Sequence, residues 1–256
     1  MDYLIICIVA FLASGLTFFS GFGLGTILLP AFAIFFPLET AISITAVVHF
    51  LNNLFKLTLT AKNANAGVVV KFGIPSMIAA IGGALLLTYM IHVAPLYSYE
   101  LGGKNYDVVL VKLIIATLMI LFALLDLIPA LSKITFGEKF MITGGLFSGF
   151  FGGLSGHQGA LRSMFLIRSG LSKESFIATG IMIACMVDVS RLAIYGSNNF
   201  GITQNEISIV AAGTVCAFAG AFIGNKLVKK VTLKFMQLFV AVMLIVFAIA
   251  LGAGII

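Results

Sequence analysis

Charge is what this sequence has least of: 9% of its 256 residues are Asp, Glu, Lys or Arg, against 61% hydrophobic, and the mean hydropathy is +1.18. No soluble domain hides that much apolar surface, whereas a bilayer needs it exposed. The scarcity therefore excludes an ordinary soluble domain and predicts an all-α polytopic membrane protein. Cysteine is also rare. Cys7, Cys185 and Cys216 are scattered through apolar segments without the close spacing of a metal or redox motif, so they read as small buried hydrophobes. His49, His92 and His157 are widely separated and no HExxH run occurs, which argues against an intramembrane enzyme. Neither a metal nor a cofactor is expected. A basic leader is missing too: Met1 and Asp2 put no positive charge ahead of the first apolar run, which reads as a retained transmembrane segment and not a cleaved signal peptide. The net charge of +6 sits on lysines in short loops, where it reports membrane orientation and not nucleic-acid binding.

What the chain does have is long apolar runs, at about Tyr3 to Phe19, Leu24 to Phe36, Thr40 to Thr58, Val68 to Ile91 and Val108 to Pro129. The order then repeats at about Phe140 to Leu154, Gly159 to Ile167, Ser175 to Tyr195, Ile207 to Leu227 and Phe235 to Ile255. Each half is one broken piece plus three long helices, giving repeats over residues 1–131 and 132–256. The breaks are small-residue patches, SGFGLG from Ser20 to Gly25 and SGHQGA from Ser155 to Ala160, about 135 positions apart. At that offset Ser20 meets Ser155, Gly21 meets Gly156, Glu39 meets Glu174, Asn53 meets Asp188 and Lys56 meets Arg191.

As one continuous helix the first broken piece, Tyr3 to Phe36, would run roughly 50 Å at 1.5 Å per residue, against a hydrocarbon core of about 30 Å. It should turn back on itself. If each broken piece enters and leaves on one side, the two halves lie in opposite orientations. One face then collects Lys56, Lys62, Lys71, Lys133, Lys139, Arg168, Lys173, Lys226, Lys229, Lys230 and Lys234, and the other Lys104, Lys112 and Arg191. The bias assigns the first face to the cytoplasm of a cell membrane, with both termini outside.

A glycine-rich break at membrane depth exposes backbone polar groups that survive only beside protein or a watery cavity. Helix starts near Gly23 to Thr26 and Gly159 to Leu161 present unpaired N–H groups and positive dipole ends, suited to an anion. Close helix packing is the alternative use of such glycines, and the GxxxG pair Gly220 and Gly224 is assigned to packing only. The candidate substrate site therefore comprises Ser20, Gly21, Phe22, Gly23, Gly25 and Thr26 at the first break, and Ser155, Gly156, His157, Gln158, Gly159 and Arg162 at the second. Arg162 either holds substrate or snorkels to an interface. His157 and Gln158 either reach a cavity, where the histidine can carry a proton, or cap the exposed backbone. In the third segment His49, Asn52, Asn53 and Lys56 form a polar stripe at helical spacing. Asp188 and Arg191, three apart in the second half, can pair with each other. These residues, with Thr45 and Thr179 about two turns away, form a candidate gating or coupling set, although a membrane threonine can also bond its own helix backbone. Asp126, ahead of Pro129, is expected at an interface.

The runs SGFGLGTILLPAFAIFFPLETAISITAVVHFLNN and FSGFFGGLSGHQGALRSMFLIRSGLSKESFIATG resemble the two halves of the sulfite-exporter (TauE/SafE-like) transporters, the TSUP family, and the resemblance spans nearly the whole chain. The family's first signature resembles a G-x-G-G-G run followed by an apolar stretch and proline. Gly21, Gly23, Gly25 and Pro30 match it while Leu24 replaces a glycine. The second signature departs further, with His157 and Gln158 where glycines are common. The resemblance implies a plasma-membrane carrier, without cofactor, for small sulfur-containing anions such as sulfite, thiosulfate or organosulfonates. It would work by alternating access, one half rocking on the other around the paired breaks. An anion channel, or a carrier for a non-sulfur carboxylate, is the alternative. The implied partners are the small anionic substrate and the lipid bilayer, with no nucleic acid and homo-oligomerisation left open.

Overall fold

The computed structural model describes residues 2–20, 23–128, 134–198, 202, 204–227 and 233–256. Gly21, Phe22, Pro129, Lys133, Lys229 and Lys230 lie outside the described residues. The first half folds as α1 (Asp2–Ser20), α2 (Leu24–Ala33), α3 (Leu38–Thr60), α4 (Ala66–Ile91) and α5 (Leu110–Leu127). The second folds as α6 (Met141–Ser155), α7 (Gly159–Leu166), α8 (Lys173–Ser197), α9 (Gln204–Leu227) and α10 (Leu233–Gly252). Four of these segments, Leu38–Asn63, Ala66–Ile91, Lys173–Ser197 and Glu206–Gly224, are long and apolar enough to cross a membrane, and shorter apolar helices accompany them. Both glycine patches interrupt helices. At 1.5 Å per residue the ten-residue α2 and eight-residue α7 span about 15 Å and about 12 Å, roughly half the hydrocarbon thickness of about 30 Å, and they fold back onto α1 and α6.

Local chemistry sets the ends. The Asn65 side chain accepts from Val68 N–H at 3.0 Å and Ser172 accepts from Ser175 N–H at 3.2 Å, capping α4 and α8. Gly156 ends α6 at φ +75°, a left-handed turn a side chain would strain. Within α4 the turn Val69–Gly73 widens to π geometry just ahead of Pro75, whose missing N–H cannot continue the ladder. Residues 97–108 form a hairpin that the apolar pattern does not announce: β1 (Tyr97–Leu101) pairs antiparallel with β2 (Lys104–Val108) across Gly102 and Gly103, both at positive φ. It is pinned to the C-terminal end of α10 by Tyr99 Oη donating to Ala253 O at 2.8 Å.

The helix packing follows a rule of exchange. α1 packs on α9 and α6 on α4; α3 packs on α8 and α5 on α10. Swapping each element of one half for its counterpart leaves that set unchanged. Lipid offers no hydrophobic gain for helix association, so close van der Waals contact and interhelical hydrogen bonds must supply it. Glycines provide both. A Cβ at Gly145, Gly149 or Gly153 of α6 would run into the α4 backbone at Phe72, Ser76 or Ala80, and one at Gly83 of α4 into Phe150 of α6. Ser76 Oγ adds a bond to Gly145 O at 2.9 Å. In the counterpart crossing, Gly220 and Gly224 of α9 rest on the α1 backbone at Phe11 and Gly15. Ile78, Phe147, Val215 and Val246 point outward, more than half exposed, as lipid-facing side chains do.

Candidate functional site

α3 and α8 cross where each carries its polar residues. His49, Asn52, Asn53 and Lys56 are all buried on α3, and Asp188 and Arg191 are buried opposite on α8. His49 Nδ1 lies 2.6 Å from Asp188 Oδ2; since a carboxylate only accepts, Nδ1 carries the hydrogen. Nε2 is then the acceptor for Asn53 Nδ2 at 3.3 Å. Arg191 donates to the other carboxylate oxygen from Nε at 2.9 Å and pairs with it through Nη2 at 2.8 Å. One carboxylate thus joins an arginine on its own helix to a histidine from the facing one. The Asn52 amide, oriented to satisfy both ends, accepts from Lys56 Nζ at 3.1 Å and donates to Ala217 O of α9 at 3.2 Å.

The two breaks come together beside this cluster. A Cβ at Gly25 would lie 3.9 Å from Gly156 O, and one at Gly23 would lie 3.5 Å from His49 Nε2. The Arg191 guanidinium sits over Gly156, so that a Cβ there would be 2.8 Å from Nη1. Between α3, α7 and α8 opens a cavity of about 50 Å³, lined by Gly23, His49, Asn53, Lys56 and Arg162 with Thr17, Ser163, Phe176 and Gly180. A single water needs about 10–15 Å³ on this scale, so the space fits a group of a few non-hydrogen atoms. Arg162 reaches it from the first turn of α7 across Gly180, where a Cβ would come within 3.3 Å of Nε. Its Nη1 is sealed from solvent and has no hydrogen-bond partner. Lys56 and Arg162 thus line the cavity, and the Arg191–Asp188 pair lies on the same crossing of α3 and α8.

The other candidate residues are placed as follows. Thr26 Oγ1 bonds Gly23 O at 2.6 Å and closes the first turn of α2. Ser155 Oγ bonds Phe151 O at 3.0 Å, and Gly159 begins α7 after Gln158. His157 turns its Nδ1 to Ser155 O at 2.7 Å and stacks near Phe122, facing a smaller cavity of about 10 Å³ that shares Gly23 with the larger one. Gln158 is buried with Oε1 unpartnered, as is Thr45 Oγ1, whose methyl touches the first break. Thr179 accepts from Asn65 N–H at 2.9 Å and fastens the start of α4. Ser20 is the last residue of α1, and Gly21 and Phe22 lie outside the described residues. Lys56 and Arg191, counted above with opposite faces, are instead buried within α3 and α8, 3% and 1% exposed. On the expected topology, removing them leaves Lys104 and Lys112 opposite the other basic loop residues.

Sequence reasoning missed Ser14, Ser163, Gly180 and Tyr195. Tyr195 was findable: it lies four residues beyond Arg191, one helical turn along the same face, and its Oη donates to Gly153 O at 2.9 Å. Ser14 contacts Asn52 across helices, and no local spacing signals that contact.

A helical protein built to sit in a bilayer, with two interrupted helices meeting beside a buried ionic cluster, is a polytopic membrane protein with an internal site. The sulfite exporter TauE/SafE family model matches residues 6–251, and the chain belongs to that family. The family is one of transporters and not of enzymes. No curated protein matches the chain.

Proposed function

We propose that this protein carries small sulfur-containing anions such as sulfite or thiosulfate across the plasma membrane, by alternating access at the cavity between α3, α7 and α8. The observation that carries the reading is Arg162: its side chain lines a small cavity shared with Lys56, and its buried Nη1 has no hydrogen-bond partner. An oxyanion supplies the missing acceptor, and charge-assisted bonds of this kind contribute about 1.5–3 kcal/mol each. Residues 1–131 and 132–256 act as two oppositely oriented repeats, supported by the exchange rule in helix packing and by the lysine bias. Export needs no coupling ion in principle, since an inside-negative potential drives an anion outward by about 2.3 kcal/mol per charge per 100 mV.

The test is a thermal-shift series on the purified protein with sulfite, thiosulfate, an organosulfonate and a carboxylate. Sulfite or thiosulfate should raise the apparent Tm, with about 2.7 kcal/mol of stabilisation at a hundred times Kd. A carboxylate-only response would move the substrate outside the sulfur anions. No response to any of them would remove the anion site.

A further inference from the structure

The glycine crossings do more than hold helices together, because each joins one half of the sequence to the other. α1 lies on α9 with Gly15, Gly220 and Gly224 at the contact, and α6 lies on α4 with Gly83, Gly145, Gly149 and Gly153. Backbone rests on backbone there, with no side chain between to refit during sliding. Two bodies follow. In one, α2 and α3 pack on each other, α2 on α1 and α3 on α9, and Asn52 ties α3 to Ala217 O. In the other, α7 packs on α6 and α8 on α4, with Tyr195 bound to Gly153 O and Asn65 bound to Thr179. Each body thus holds three elements of its own half and the fourth helix of the other.

The anion cavity lies on the seam between these bodies. Gly23, His49 and Lys56 line it from one side, and Arg162 and Gly180 from the other. The His49–Asp188 hydrogen bond crosses that seam, whereas the polar ties named in the preceding paragraph each stay inside one body. Rocking the sequence halves against each other would tear both glycine crossings apart. Rocking the swapped bodies leaves both intact and opens the cavity.

We propose that the moving parts of this carrier are the two helix-swapped bodies, α1–α2–α3–α9 and α6–α7–α8–α4, with the His49–Asp188 hydrogen bond as the latch across their seam. The proposal takes from the anion-carrier reading what passes, and not which helices move together. His49 has one Nδ1–H to give. An anion entering beside it competes with Asp188 for that hydrogen, and Asp188 stays paired with Arg191 when it loses. Substrate entry therefore loosens the seam without leaving a carboxylate unpaired.

Spin-label distances in liposomes test this, with the three cysteines replaced by serine and labels on the outward-facing positions Ile8, Val215, Ile78 and Phe147. Ile8 with Val215, and Ile78 with Phe147, join different halves within one body; Ile8 with Ile78, and Val215 with Phe147, join different bodies within one half. The perturbations are sodium sulfite on the native latch, and His49→Ala without ligand, with His49→Leu as a second latch variant that keeps the volume filled. The expected result is a shift or broadening of both cross-body pairs under either perturbation, with both within-body pairs unchanged. Movement of the within-body pairs, or still cross-body pairs under every perturbation, overturns the proposal. If sulfite moves nothing while the latch variants move the cross-body pairs, the anion reading falls and the two bodies stand.

Discussion

The third helix of each half performs the same task with opposite means. α8 neutralises its cation on the spot: Arg191 and Asp188 are one helical turn apart, and Nε and Nη2 of the arginine both meet Oδ1 of the carboxylate. α3 bonds Lys56 to the Asn52 amide and lends its histidine to the other helix's carboxylate. The comparison teaches which basic side chains reach the cavity. The α8 pair lies beside it, whereas Lys56 of α3 and Arg162 of α7 line it.

The sharpest way to break this comparison is Asp188→Asn. Removing one partner of a buried ion pair strands the other, which costs about 3–5 kcal/mol, so the variant should lose stability heavily in a denaturation series. A near-neutral outcome would mean that α8 is not a closed pair. Gly149→Leu attacks the α6–α4 crossing and should cost about 1–3 kcal/mol or more through overpacking, seen as a lower Tm without any change in which anion protects. Lys56→Met keeps the stem and removes the charge. If Lys56 takes part in anion binding, sulfite affinity should fall about tenfold, equivalent to about 1.4 kcal/mol, and Tm should also fall because the buried Asn52 amide loses its bond from Nζ. The smallest effect separates two neighbouring glycines. Gly82 has open space around its would-be Cβ, so Gly82→Ala should be neutral or stabilise by about 0.5–1 kcal/mol, whereas Gly83→Ala meets the α6 backbone and should destabilise. Equal outcomes for the two would contradict the crossing.

Much of the fold is readable from the chain because hydrocarbon imposes its length and polarity on every spanning segment. The expected apolar runs fall within a few residues of α1 to α10 as described, and the two glycine patches coincide with the interruptions between α1 and α2 and between α6 and α7. The hairpin at residues 97–108 was less legible, since its five-residue strands lie outside the apolar runs, although Gly102-Gly103 is a recognisable two-residue turn. The polar residues of the site stood out one by one, as any polar residue in an apolar helix does. Their pairing did not. His49 and Asp188 are 139 positions apart, and nothing local in either segment indicates that they touch. Lys56 and Arg191 were counted with opposite faces as well as with the polar residues of their helices; only the crossing of α3 and α8 shows both enclosed. The four-residue repeat of Gly145, Gly149 and Gly153 went unread, and which helix it receives depends on the whole packing arrangement.

The most direct test of the anion site is sulfite flux into proteoliposomes by the native protein and by Arg162→Gln, prepared at matched Tm. The account predicts saturable flux for the native protein and its loss in the variant, since the proposed anion site rests on Arg162, whose Nη1 has no hydrogen-bond partner. Equal, saturable flux in both would contradict it.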